Sequence, residues 1–262
     1  MQASILPFQY GWYWIQAGLE TFKKQPMALI FWALVTNLLI NLSYFIPIVG
    51  QIALMVLTPS LTFIVLNASR RILKNERMQL SDWLSPIKQE GVFARLLRLG
   101  GVYFFFLFVA SVLATTPFLD TISAALPDTG ESVDPATLMQ AVRTPVMLFL
   151  GLYLIVSILF WHAPALVGWH QIPLKQALFY SMVACWRNKL PMIIYGVFWG
   201  AIYYLFNILS VTLAGSLGSE FSYFVMTFLS FLVFAVLYAS FYPIYKTVFN
   251  IQDGIELSVK SS

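Results

Sequence analysis

His162 and His170 are the only histidines in this 262-residue chain, and each directly follows a tryptophan, Trp161 and Trp169. Eight residues separate them, a little over two helical turns, with Pro164 between and no Cys, Asp or Glu close by in sequence. Two imidazoles so placed make a poor metal set, so neither a metal nor a cofactor is expected. His162 is the more informative of the pair. It sits toward one end of a long apolar stretch, where an ionisable side chain is costly unless it meets water or a partner. It reads as a hydrogen-bonded structural histidine or, alternatively, as part of a gate or ligand site; His170 reads as a polar residue at headgroup depth.

The other polar groups inside apolar stretches are Asn37 and Asn41, which share a helical face at i,i+4, and Asn207. They could join helices, each hydrogen bond contributing on average about 0.6 kcal/mol in a membrane, or line a path for a small polar solute. Cys185 is the single cysteine and cannot form an intrachain disulfide, and it is expected to pack rather than react. No G-x-x-x-x-G-K-[ST], H-E-x-x-H or G-x-S-x-G motif occurs, so no catalytic constellation is apparent and the chain is not expected to be an enzyme.

These residues lie within six apolar stretches, Met27 to Phe45, Ile48 to Leu66, Leu99 to Phe118, Thr144 to Val167, Pro191 to Val211 and Phe221 to Tyr245. Composition points the same way, with 60% hydrophobic residues, 10% charged and a mean hydropathy of +0.79. About 20 helical residues cross a hydrocarbon core near 30 Å thick, and each stretch is close to that length. Backbone polar groups in lipid must bond within their own segment, and these runs lack the alternation of barrel strands, so helices are expected. The predicted fold is therefore an all-α integral membrane domain spanning 1–262, with six transmembrane helices. No charged residue falls in the core of any stretch, which argues against proton-coupled transport.

Charge sets the expected orientation. Of the 15 Lys and Arg residues, 14 fall on one side of the zigzag, together with 6 acidic residues; the other side holds only Arg143 against Asp120, Asp128, Glu131, Asp134 and Glu220. Under the positive-inside rule the basic side is cytoplasmic, as are both termini and the tail 246–262. The net charge of +4 is thus distributed across a membrane and is no sign of nucleic-acid binding. Lys23, Lys24, Arg70, Arg71, Arg95, Arg98, Arg187 and Lys189 are the candidate contacts for anionic lipid, and the loop from Arg70 to Arg98, with Trp83 in its middle, is also a candidate protein contact. On the acidic side, Pro127 to Gly130 reads as a turn and Asp134-Pro135 as the start of a short helix to Val142. The carboxylates there do not follow an EF-hand pattern.

Ser4 to Leu19 is apolar but has no basic region before it and its lysines come afterwards, so a signal peptide is not expected, and residues 8–24 are read as an interfacial helix. Tyr10, Trp14, Ala17 and Thr21 fall on one helical line, and Trp12, Ile15, Gly18 and Phe22 on the next, which predicts an amphipathic helix at the interface, ended by Pro26. A second such helix is expected from Pro173 to Trp186. The approaches to the odd-numbered spans repeat: Phe22-Lys23-Lys24-Gln25-Pro26-Met27, a degenerate Phe93-Ala94-Arg95-Leu96-Leu97-Arg98, and Trp186-Arg187-Asn188-Lys189-Leu190-Pro191-Met192. The even-numbered spans each carry a proline near the cytoplasmic end, Pro59, Pro164 and Pro243, where a lost hydrogen bond would kink the helix. Three units of interfacial helix plus transmembrane hairpin are the predicted arrangement.

These units, the prolines of the even spans and the segment from Ser181 to Asn188 together resemble a group of uncharacterised six-span bacterial inner-membrane proteins. That group is similar to the membrane region attached to some bacterial glycerophosphodiester phosphodiesterases, whose soluble catalytic domain has no counterpart in these residues. The resemblance implies a bacterial cytoplasmic (inner) membrane location and this architecture; the group has no agreed activity. A non-enzymatic protein that organises lipid or a protein partner is the reading preferred from the residues. The alternative is a transporter or channel for a small or lipid-like solute, through a path between the hairpins touching Asn37, Asn41, His162 or Asn207.

Overall fold

The computed structural model describes residues 3–126 and 134–254. The turn expected at Pro127 to Gly130, with Asp128, and also Glu131 and the tail's Lys260, lie outside the described residues. Among the described residues ten α-helices follow in order: α1 (Tyr10–Lys24), α2 (Pro26–Phe45), α3 (Val49–Leu73), α4 (Val92–Thr115), α5 (Leu119–Ala124), α6 (Pro135–Phe160), α7 (Ala163–His170), α8 (Leu174–Arg187), α9 (Lys189–Leu217) and α10 (Ser219–Val248). Among the described residues six helical segments are long and apolar enough to cross a membrane: α2, α3, α4 with its continuation through α5, α6 with α7, α9, and α10.

Most spans extend beyond their predicted bounds. The second continues to Leu73, so that Arg70 and Arg71 ride on α3 rather than in a loop. The helix expected from Pro135 to Val142 is the first part of α6, with Asp134 as its N-cap accepting from the backbone N–H groups of Ala136 and Thr137. Two predicted features differ in kind. The fourth span, 144–167, is broken between α6 and α7. No separate interfacial helix precedes α4: residues 74–91 form turns and a 3-10 turn, Leu80–Asp82, and Phe93 to Arg98 belong to α4 itself. The cause is packing. Val92, Leu96 and Leu99 are buried in the core and draw this stretch into the span, while Trp83 stacks on Trp32 at 4.9 Å and Arg71 reaches Asp82 at 3.0 Å, holding the loop against α2 and α3.

Close backbone approaches set the core. A Cβ on Gly100 of α4 would lie 1.8 Å from the Val56 carbonyl oxygen of α3, and one on Gly18 of α1 would lie 2.7 Å from the Ser240 Cβ of α10. Only glycine admits such contacts. The stripe of α1 expected to face one way does so, but it faces protein. Trp14 is fully buried, packs on Tyr195 of α9 with ring centroids 6.2 Å apart and donates its indole N–H to Thr247 Oγ1 of α10, while Trp12 stays exposed. Burial also pushes the Tyr13 phenol up to about 12.

Burial is concentrated at the basic end of the bundle. Buried residues of α3 run from Pro59 to Leu73, those of α10 are mostly Ala235 to Val248, and α9 buries only Pro191 and Tyr195, both near its start. Toward the other end Tyr203, Tyr204, Val211, Phe224 and their neighbours are exposed. α9 packs on α1 and α10, while α6 packs chiefly on α4 and α8.

Candidate functional site at the helix break

Two residues far apart in sequence cause the break between α6 and α7. Pro164 has no N–H to offer the Phe160 carbonyl, which removes one rung of the helical ladder. Ser181 of α8 replaces another: the His162 backbone N–H donates to Ser181 Oγ at 3.0 Å, and that hydroxyl donates to the Ile158 carbonyl at 3.1 Å. In a continuous helix His162 N–H would bond Ile158 directly, so the serine hydroxyl is spliced into an i to i−4 hydrogen bond. Pro164 therefore does not kink a span that continues; it sits in the first turn of α7, where a missing N–H costs nothing. Pro59 and Pro243 do lie inside α3 and α10, as expected.

Beside the break is a cavity of about 160 Å³. Thr58, Pro59 and Thr62 of α3 form one wall, and Tyr153, Ser157 and Phe160 of α6 another. Tyr103 of α4 and Phe241 of α10 close the sides. His162 lines it too, with 2% of its surface exposed and its Nε2 buried without a hydrogen-bond partner among the described residues. Edge contacts stiffen the walls, between Tyr103 and Phe160 at 5.0 Å and between Trp161 and Phe241 at 5.8 Å. Tyr245 also borders the cavity, and its hydroxyl lies 2.8 Å from His170 Nε2, so His170 has a defined partner inside the protein. No charged side chain lines the cavity.

The other intramembrane polar candidates are not brought to this place. Asn37 and Asn41 lie on the exposed face of α2, where Asn41 Nδ2 donates to the Asn37 side chain at 3.0 Å and to its carbonyl at 2.8 Å. Asn207, exposed on α9, donates to the Tyr203 carbonyl at 2.9 Å. All three bond within their own helix, and none of them lines the cavity beside His162.

The basic candidates divide into two groups. Arg70 is tied inward, over the Trp169 ring at 5.3 Å and 3.7 Å from Asp253. Arg71 pairs with Glu76 at 2.8 Å and with Asp82 at 3.0 Å. The Gln79 backbone N–H, followed by Arg71, holds the Asp82 carboxyl below the usual carboxylate range. Lys24 donates to Asn75 at 3.0 Å. Lys23, Arg98, Arg187 and Lys189 are exposed, Lys23 pairing only with Glu20 on its own helix and Lys189 lying 5.1 Å above the Trp186 ring. Arg95 is different: its Nε and Nη2 are buried without a hydrogen-bond partner among the described residues.

Three organising residues carry little signal in sequence alone. Asn188, fully buried, accepts the Leu6 backbone N–H at 2.9 Å and donates to the Ser4 and Ala184 carbonyls, each at 2.9 Å, clamping the N-terminal segment to the end of α8. Ser181 is its companion, buried seven residues earlier on α8. Asp253 folds back after α10 to Lys246 and the Tyr242 hydroxyl. Cys185 lies on the same packed face of α8, and its burial pushes the thiol up to about 12. Among the described residues no group of three His, Cys, Asp or Glu is placed to hold a metal.

The helices, their length and their apolar outer faces define a polytopic α-helical membrane protein. Comparison with known proteins agrees: the chain is 30% identical to a probable inner membrane protein of Burkholderia thailandensis, over 97% of this chain and 96% of that one. It belongs to the family of that protein. No protein-family model matches the chain, and no solved structure matches it.

Proposed function

We propose that this protein is a non-enzymatic, membrane-organising protein that binds anionic lipid, or a protein partner, at its basic end, with both termini in the cytoplasm. Arg95 carries the reading. A guanidinium with two nitrogens buried and unpaired calls for an anionic acceptor, and it stands near the start of α4, one turn from the exposed Arg98. A phosphate at headgroup depth would supply that acceptor, while the exposed apolar faces of α9 and the far halves of α6 and α10 meet acyl chains. Two of the three predicted units, each a helix ahead of a hairpin, support the same role. α1 precedes the α2–α3 hairpin and α8 precedes the α9–α10 hairpin, each ending in basic residues, and the middle unit has its helix absorbed into α4.

Native mass spectrometry of the protein released from nanodiscs without prior delipidation tests this. Stoichiometric retention of anionic lipid, reduced several-fold in Arg95→Glu, is the expected result; a bare protein, or retention unchanged by that variant, would overturn it. Reporters fused after Thr129 and after Glu76 should behave as periplasmic and cytoplasmic respectively, and the reverse pattern would invert the orientation.

The helix break favours a second reading, a transporter or channel for a small or lipid-like solute, because interrupted helices beside a cavity are a recurring device of solute sites. Such a path would pass His162 and not Asn37, Asn41 or Asn207. Flux into proteoliposomes that disappears in a normally folded His162→Ala variant would decide for it.

A further inference from the structure

We propose that the cavity at the α6–α7 break binds the head of a neutral, membrane-soluble molecule of the phenol class, a single ring bearing a hydroxyl group, hydrogen-bonded to His162.

Size comes first. A cavity near 150 Å³ lined by apolar side chains holds one benzene ring, and the space here is about 160 Å³, so one six-membered ring with a small substituent fits and a fused polycycle does not. Charge comes second. No Asp, Glu, Lys or Arg lines the space, and an ionised ligand would have to leave water without a counter-charge, which costs several kcal/mol. The occupant is therefore neutral. Third, the walls suit a ring. Tyr103, Phe160 and Phe241 already meet their neighbours edge-to-face, the geometry that a further aromatic ring would continue.

Polarity then separates a phenol from a plain hydrocarbon. The buried His162 Nε2 has no partner among the described residues, and a neutral imidazole nitrogen either donates or accepts according to tautomer. A hydroxyl can answer either state. Thr58 and Thr62 give their hydroxyl protons to backbone carbonyls of α3, Leu54 and Thr58 in turn, and so keep only acceptor capacity toward the cavity. The histidine is thus an adaptable polar group of the wall, beside the hydroxyls of Ser157, Tyr103 and Tyr153, and the one whose buried nitrogen lacks a partner among the described residues. Tyr153, which borders the cavity and is 39% exposed, marks where the space meets the membrane-facing surface, so a tail on the ring could leave toward lipid.

Because the chain has two histidines, ¹⁵N-histidine labelling gives two sets of signals, and His170, held by Tyr245, serves as the internal control. Protein in nanodiscs would be titrated with p-cresol, with toluene and with 4-octylphenol. The expected result is a saturable shift of the His162 nitrogens with p-cresol, a weaker response to toluene, and an unchanged His170. One hydrogen bond should make p-cresol bind about fivefold tighter than toluene. Ser157→Phe, which fills the cavity from α6, should raise the dissociation constant at least tenfold; Thr62→Met fills it from α3 and serves if the first variant does not fold. Saturation by 4-octylphenol as well identifies a lipid-like molecule whose tail exits past Tyr153, whereas response to p-cresol alone identifies a small free phenol. A shift that grows linearly with probe, or equal responses to p-cresol and toluene, would overturn the proposal, leaving partition into the bilayer or a water-filled cavity. This outcome is independent of anionic-lipid retention at Arg95.

Discussion

Replacing Asn188 with alanine should loosen the N-terminal segment from the rest of the protein. In the native structure the amide of Asn188 holds Leu6 N–H and the Ser4 carbonyl, each at 2.9 Å, in a fully buried site. Its third bond, to the Ala184 carbonyl, is partly redundant, because the Asn188 backbone N–H also reaches that oxygen at 3.2 Å. Two interactions are therefore lost without replacement. At about 1 kcal/mol each, the local opening free energy falls by roughly 2 kcal/mol, which is about a 30-fold rise in the open population. The segment does not detach altogether, since Ser4 N–H still donates to the Val248 carbonyl at 2.8 Å. Hydrogen exchange reads this directly. Protection of the Leu6 amide should drop by about that factor, while the amides of α4, remote from the clamp, should be unaffected. Asn188→Asp keeps the acceptor for Leu6 but loses the donor to Ser4, and it should lie closer to wild type at Leu6 only when the carboxyl is protonated. Unchanged Leu6 protection in the alanine variant would refute the clamp.

Gly100→Ala should destabilise the α3–α4 contact severely, because the new Cβ would fall 1.8 Å from the Val56 carbonyl oxygen; a thermal midpoint within a degree or two of wild type would contradict that packing. With its thiol pushed up to about 12 and 3% of its surface exposed, Cys185 should resist maleimide at pH 8 in the folded protein and label on denaturation, and rapid native labelling would contradict its placement. Thr137, first, and then the Ala136 and Thr137 backbone N–H groups hold the Asp134 carboxyl below its ordinary range, so its contribution is present above the ordinary carboxylate range and lost as pH falls through the depressed value. Exchange at Ala136 and Thr137, corrected for intrinsic rates, should accelerate over that acid window in the native protein, with Asp134→Ala already fast at neutral pH.

The sequence by itself determined the class of the fold. Six stretches of about 20 apolar residues have few ways to satisfy their backbone groups in lipid, and this constraint acts locally, within each helix, so composition and length suffice to read it. The Asp134 cap is local too and could be read in the same way. Tertiary structure decided where the polar residues lie. Asn37, Asn41 and Asn207 look like His162 in sequence, each a polar group in an apolar run, yet three of them turn outward and bond within their own helix while His162 turns inward beside a cavity. That division depends on helix rotation, which is set by contacts such as Gly100 on Val56 between residues 44 positions apart in the chain. The broken fourth span needed both Pro164, visible in sequence, and the Ser181 hydroxyl, which arrives from another helix. The missing middle interfacial helix likewise follows from Val92, Leu96 and Leu99 finding a core. Periodicity assigns a residue to a face; only packing against distant segments decides whether that face meets lipid, protein or an internal space.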